Sequence, residues 1–362
     1  MFDCSYGRLV LRLWERYQQV SNFRHYATIL AMTAAARTAK IIESGELFES
    51  VRARLEPFLN GGQETYGAYG KNVYKCGGNA AAWMLVRGYL PTEYAPVLEV
   101  AADDLCKNFP RMDGMFAMPG RNFVWIDTVS GVCPFLLWTG KALNRQDFID
   151  ESVNQMLLHH ERLVDPETGL YHQAYNKSGD GKLSAAFWSR GVGWGLHALA
   201  EMVFDVPKDH PGYPRILAAW RQVLDGCLAM QDPDGMWHQA MEDPSTYPET
   251  SGTALICYAM GRGIKQKSID VERFREPLER GMKGMLRYVS FRGSVFNTCT
   301  GALAPGETGS AAEYQALPHA MDDEHAFGSV MLALSQAAQL QKRGDFPSME
   351  ELLGAPADKL QI

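Results

Sequence analysis

Gly235-Met236-Trp237-His238 reads as a turn glycine followed by apolar and aromatic residues. Asp113-Gly114-Met115-Phe116, Gly169-Leu170-Tyr171-His172 and Gly293-Ser294-Val295-Phe296 repeat the form, and the successive glycines lie 55, 66 and 58 residues apart. Each glycine follows a charge-rich stretch of helical periodicity and precedes one almost free of charge. Asp147 to Val164 exemplifies the first kind; Thr128 to Thr139, with no charged residue, exemplifies the second. One repeat is therefore a helix buried all round plus an amphipathic helix wet on one side. A period of roughly 60 residues across the chain predicts about six helical hairpins.

The 3.6-residue pattern places helices near 6–20, 25–43, 45–59, 78–88, 93–108, 126–143, 146–164, 189–206, 213–231, 249–265, 271–289 and 323–340. Strand signals are weak. Six hairpins can stack as an open solenoid or close into a ring of six inner and six outer helices. Charge-free helices favour closure, because an open solenoid leaves a concave face wet. Two separate helical domains are the rival arrangement, but no Pro/Gly/Ser-rich linker divides the chain. The expectation is one all-α catalytic domain, an (α/α)6 barrel, over residues 1–362.

Composition narrows the function. Against 35 Lys+Arg stand 42 Asp+Glu, a net charge of −7, which argues against a general nucleic-acid or anionic-membrane binder. The seven cysteines, at 4, 76, 106, 133, 227, 257 and 299, contain no CxxC and no zinc-ribbon spacing, and read as buried free thiols of a cytoplasmic protein. Asp3, Arg8, Arg12, Glu15 and Arg16 interrupt any signal-peptide core, and no apolar run is long enough to span a membrane. With no Walker A, dinucleotide fingerprint, HExxH or EF-hand loop, neither a metal nor a cofactor is expected. The oligomeric state stays open.

In a closed ring all inner helices run the same way, so their N-termini meet at one mouth. Gly77-Gly78-Asn79, Trp125-Ile126-Asp127, Trp188-Ser189-Arg190, Glu249-Thr250-Ser251 and Asp322-Asp323-Glu324-His325 all fall at such starts. The glycine-aromatic loops bring Tyr171, His172, Trp237 and His238 to the same end. Singly, each acid reads equally as a helix cap, each Trp (125, 188, 194, 237) as core filler and each His as an idle loop residue. Their convergence points to a ligand. Aromatic faces stack on sugar rings, and a guanidinium pairs bidentately with a carboxylate, so an acidic sugar is the expected partner.

Phe187-Trp188-Ser189-Arg190-Gly191-Val192-Gly193-Trp194 resembles the Trp-x-Arg-x-x-Gly-Trp signature of unsaturated rhamnogalacturonyl hydrolases, glycoside hydrolase family 105, relatives of the unsaturated glucuronyl hydrolases of family 88. Trp125-Ile126-Asp127 with Pro134-Phe135-Leu136, Asp234-Gly235-Met236-Trp237-His238-Gln239, Tyr247-Pro248-Glu249-Thr250-Ser251 and Asp323-Glu324-His325-Ala326-Phe327-Gly328 are similar to further family segments, in order, over roughly residues 70 to 340. The resemblance implies the barrel fold and a glycosidase that attacks a double bond. Its substrate would be a lyase-generated oligosaccharide ending in a 4,5-unsaturated uronic acid, with unsaturated galacturonyl-rhamnose the expected case. Hydration of C4=C5 gives a hemiketal that opens and releases the aglycone. The motif match makes Asp127 the acid and base. It gives Trp188 and Trp194 the sugar ring, Arg190 its polar groups, and His172 a substrate hydrogen bond, with Trp125, Trp237 and His238 around the pocket.

Two departures stand out. Lys75-Cys76-Gly77-Gly78-Asn79 contains no carboxylate where members often carry a second Asp, and Asn79 takes that place; Val192 replaces a frequent Asn. Asn79 can orient water or a hydroxyl but cannot share a proton with Asp127. Two alternatives follow. One is another sugar enzyme of this fold, an epimerase or a glycosidase for saturated uronides or arabinosides, using Asp323, Glu249 or His325. The other is a non-catalytic oligosaccharide-binding scaffold. Gly301 to Pro318 reads as a loop over the mouth.

Overall fold

The computed structural model describes residues 5–66, 70–301 and 310–354. Leu9, Val10, Leu13, Trp14 and Tyr17 recur at helical spacing and give α1 (Tyr6–Val20) one buried face, with Ser5 capping its start. Five hairpins follow: α2 (Thr28–Ile41) with α3 (Gly45–Leu59), α4 (Gly78–Val86) with α5 (Ala95–Asn108), α6 (Asp127–Leu143) with α7 (Gln146–Leu163), α8 (Ser189–Asp205) with α9 (Tyr213–Ala229), and α10 (Thr250–Gln266) with α11 (Val271–Leu286). The short α12 (Ala311–Gln315) precedes α13 (Glu324–Lys342), and α14 (Met349–Leu353) follows it.

Helices α2, α4, α6, α8, α10 and α13 touch in that order, and α13 returns to α2. The ring is closed. Outside it, α3 lies on α2, α5 and α7 on α6, α9 on α8 and α11 on α10. The sixth hairpin has no connecting loop: α1 packs on α13 and supplies its outer partner. This is an (α/α)6 barrel, and all twelve helices expected from periodicity are present. The start of α2 lies at Thr28 and not at 25, because His25 bridges to Tyr66 in extended form.

The inner helices are buried on every side; from Thr250 to Ile264 no residue of α10 reaches the surface. They approach closely at glycines. A Cβ on Gly193 would lie 2.8 Å from Leu255, and one on Gly328 would lie 2.8 Å from the Ala31 nitrogen.

Three two-residue antiparallel ladders tie the loops at the mouth: β1 (Arg111–Met112) with β2 (Met115–Phe116), β3 (Val124–Trp125) with β4 (Ala174–Tyr175), and β5 (Thr298–Cys299) with β6 (His319–Ala320). The glycine-aromatic loops also grip the helices. Gln173, Gln239 and Asn297, each four residues after a repeat glycine, present carbonyls to the N–H groups of Ile126 (3.0 Å), Ser189 (3.1 Å) and Thr250 (3.1 Å). Each loop thus holds the start of the preceding inner helix.

Polar groups fill the axis below the mouth. Glu201 on α8 is fully buried and accepts from Arg37 (2.8 Å), Arg262 (3.1 Å) and Tyr258. Burial alone would raise its carboxyl; Arg37 and Arg262 reverse this and hold it well below its ordinary range. Above it, His197 Nδ1 lies 2.9 Å from Ser130 Oγ, and the Ser130 carbonyl accepts from the Asn79 amide at 2.8 Å. Among the described residues no helix is long and apolar enough to cross a membrane.

Candidate active site

Asp127 is the first residue of α6, delivered to the mouth by the β3–β4 ladder. The register Trp125↔Ala174 sets Gln173 beside it, and the Gln173 amide donates to Asp127 Oδ2. Asp127 Oδ1 is buried and has no hydrogen-bond partner. Burial raises the carboxyl above its ordinary value, opposed by the Gln173 hydrogen bond and by the positive charges of Arg190 and Lys71. Lys71 is itself buried, which pulls its amine down to about 8, with Asp127 pulling it back up.

Asp127, Asn79 and Trp194 line one small cavity with Tyr26, Tyr74 and Ser130. Its volume of about 20 Å³ matches a single water molecule. Two buried polar atoms of this lining lack partners besides Asp127 Oδ1: Asn79 Oδ1 and the Trp194 indole nitrogen. The site is therefore a carboxyl, an amide oxygen and an indole N–H with unused bonding capacity around a space of molecular size. Gly131 lets Tyr74 lie against α6, because a Cβ there would overlap the phenol.

Tyr26 leads away from the cavity. Its hydroxyl lies 2.8 Å from His325 Nε2, and His325 Nδ1 lies 2.6 Å from Asp323 Oδ1. Asp323 also caps α13 by accepting from the His325 backbone. Burial and Arg190 keep the His325 ring from charging, against the pull of Asp323.

The remaining predicted residues divide. Trp125 packs on Phe123 and Ala174 at the mouth. Trp188 is buried with Cys299 and Tyr314, and the Arg190 guanidinium lies 4.4 Å over its ring. Arg190 donates to the carbonyls of Cys299 and Gly301, both at 2.6 Å, and lies 3.8 Å from Glu249. It braces the strand leading out of β5 while keeping a positive charge near Asp127. Glu249 caps α10 through Ser251 and accepts from the Cys299 N–H at 3.1 Å.

Three predicted residues face elsewhere. The Trp237 indole is fully buried and donates to the Cys227 carbonyl at 2.8 Å. His172 Nδ1 meets the Ser184 carbonyl at 2.7 Å while Nε2 lies 3.8 Å from Asp165. His238 repeats that design, with Thr246 and Asp232 as partners. Both histidines pin their loops through Nδ1, with Nε2 turned toward an aspartate. Of the expected loop from Gly301 to Pro318, residues 302–309 lie outside the described residues; Tyr314 beyond them is buried, its hydroxyl 3.2 Å from Ser184 Oγ.

Sequence reasoning missed Gln173, Lys71 and Tyr26. Gln173 carried a signal: Tyr171-His172-Gln173 and Trp237-His238-Gln239 are the same three positions of the repeat, and both glutamines are fully buried.

Residues 13–341 match the model of Glycosyl Hydrolase Family 88. Among characterised proteins, the chain is similar to the unsaturated rhamnogalacturonyl hydrolase YesR of Bacillus subtilis, 31% identical over 136 residues, or 38% of this chain and 40% of that one. It is also similar to an unsaturated 3S-rhamnoglycuronyl hydrolase of an Alteromonas species, 29% identical over 139 residues, covering 37% of this chain and 33% of that one. The match thus spans less than half the length of these relatives. Among solved structures, a family 105 glycoside hydrolase of C. acetobutylicum ATCC 824 superposes with a TM-score of 0.80 at 21% identity, over 92% of this chain and 99% of that one. At that identity the likeness shows the fold.

Proposed function

The chain belongs to glycosyl hydrolase family 88, and from that premise we propose that it releases 4,5-unsaturated uronic acid from the non-reducing end of lyase-generated oligosaccharides by hydrating the C4=C5 bond. The observation that carries this reading is Asp127: a buried carboxyl with one oxygen held by Gln173 and the other unpartnered. Hydration needs a single group that gives a proton to C4 and then takes one from the water adding at C5. With Oδ2 accepting from Gln173, the proton belongs on Oδ1. Burial supports the protonated form that the first step requires.

The other residues shape the reaction. Asn79 and Trp194 orient the sugar or the water beside Asp127. Trp125 borders the mouth, and Arg190, stacked on the buried Trp188, offsets the uronate charge. The relatives' names support an unsaturated uronyl-rhamnose bond as the one broken. The six described cysteines are free thiols, which supports a reducing, cytoplasmic setting.

The conjugated double bond of the substrate absorbs in the ultraviolet and its product does not. Turnover of unsaturated galacturonyl-rhamnose should bleach that band, and Asp127→Asn should abolish the bleaching while the variant stays folded. An unbleached panel of lyase-derived disaccharides overturns the function. An active Asp127→Asn overturns the assignment of the acid.

A further inference from the structure

The end of the barrel opposite Asp127 holds a second cavity, of about 770 Å³, where α2, α4, α8, α10 and α13 terminate. Arg37, Arg87 and Arg262 line its walls, joined by Lys40, Lys265, Lys342 and Arg343. Asp205 is the one carboxylate in the lining, with Glu201 bound behind it to Arg37 and Arg262. Glu43 on Lys342 and Asp345 on Arg343, each at 2.9 Å, offset two more, which leaves three positive charges in excess, inside a protein of net charge −7. Trp83, Tyr89, Phe204 and Tyr258 complete the lining. The volume lies within the range of small-molecule sites, about 300–1,000 Å³.

The helix C-termini account for part of this charge. Exposed carbonyls and the negative end of the helix dipole attract cations there. Lys342 donates to the Ile41 carbonyl at 3.1 Å and Arg343 to the Lys265 carbonyl at 3.2 Å. Arg87 is taken by Asp205 at 2.7 Å. Lys40 and Lys265, in the last turns of α2 and α10, hold neither a helix carbonyl nor a carboxylate among the described residues. Lys40 Nζ lies over the Tyr89 and Phe48 rings, 4.1 and 4.3 Å from their centroids. Lys265 Nζ donates to Gln339 at 2.5 Å and stands 5.0 Å from the Phe204 ring. Among the described residues no carboxylate lies within ion-pair distance of either. Burial, with Arg262, Arg37 and Arg343 nearby, pulls the Lys265 amine down to about 8. The Nε atoms of Arg37 and Arg262 are buried without a hydrogen-bond partner. Such mutual repulsion is relieved by an anion.

We propose that this cavity binds a small multivalent anion, bearing two or more phosphate or carboxylate groups, between Lys40 and Lys265 above the Arg37–Arg262 floor. The site is separate from the hydrolytic one and independent of its chemistry.

Isothermal titration of the full-length protein at low ionic strength tests it, with pyrophosphate as the phosphate probe and digalacturonate as the carboxylate probe. Pyrophosphate should bind saturably at one site. The Lys40→Met/Lys265→Met variant, which keeps both aliphatic stems, should bind at least tenfold more weakly, and Asp127→Asn should bind as the native protein does. If digalacturonate binds more tightly with the same lysine dependence, the site stands and its anion is a carboxylate. Absence of saturable binding by either probe overturns the proposal, as does binding that the lysine changes leave intact. Lys40 is exposed, so Lys40→Met alone, with an expected loss of about threefold, decides the matter if the double variant fails to fold.

Discussion

Asp127 shows how one residue carries opposite demands. Its burial favours the protonated acid, yet Gln173, Arg190 and Lys71 all favour the anion. In the proposed hydration, that balance would let a single carboxyl give a proton and then take one. The acid form is needed first, so kcat/KM should fall as pH rises through the elevated Asp127 titration. In Gln173→Leu the hydrogen bond that favours the anion is gone. The alkaline limb should then move to higher pH, and kcat should fall on the order of 10- to 100-fold because the carboxyl loses its orientation. A limb that stays in place, or moves down, refutes the positioning role. Because the fold disfavours the ionised form, Asp127→Asn should unfold at or above the native temperature at neutral pH.

At the scale of elements, the inner-helix starts combine capping with site building. Asp323 caps α13 and binds His325, and the net effect is a carboxyl held down at about 2 against its own burial. A depressed carboxylate contributes stability above its unfolded value and loses it as pH falls through the folded one. About 2 kcal/mol should therefore disappear between roughly pH 5 and pH 2. Urea midpoints across that window measure the loss, and Asp323→Asn should flatten it. An unchanged slope in the variant places the acid sensitivity elsewhere. Glu249 likewise caps its helix, α10, and the oxygen that accepts from the Ser251 N–H also accepts from the Cys299 N–H of β5. A residue that looks like a cap in the sequence is here also a tie between a helix and the mouth.

Over the whole molecule, the ring was legible because it is built on periodicity: a charge-free helix has few places to go but inside. The convergence of helix starts was legible for the same reason, which brought Asn79, Asp127 and Trp194 to one cavity. The division of labour among the aromatic and histidine residues was not. His172 and His238 differ from ligand-binding histidines only in what their second nitrogen meets, and Asp165 and Asp232 are set there by turns. Tyr26 lies in a stretch that reads only as helix, which says nothing of the cavity it lines, and Lys71 comes near Asp127 from a segment without helical periodicity. The two-residue ladders that aim Trp125 and Gln173 are too short to leave an alternating pattern. Where packing was legible it also predicts cost. Gly193→Val presses a side chain into Leu255 and should destabilise the barrel by about 1–3 kcal/mol, read from the denaturant midpoint.

The loopless sixth hairpin has a consequence for how the chain reaches its native state. Arg16 on α1 meets Asp322, 306 residues later, and Tyr6 meets the Pro347 carbonyl, 341 residues later. During synthesis α1 emerges long before α13, the helix it packs on. Leu9, Leu13, Trp14 and Tyr17 therefore wait, apolar face uncovered, while the intervening helices assemble. Closing so long a loop is an entropic cost that no local contact offsets until α13 arrives. Translation thus leaves a long interval in which a sticky amphipathic segment depends on chaperones or on temporary shelter against its neighbours.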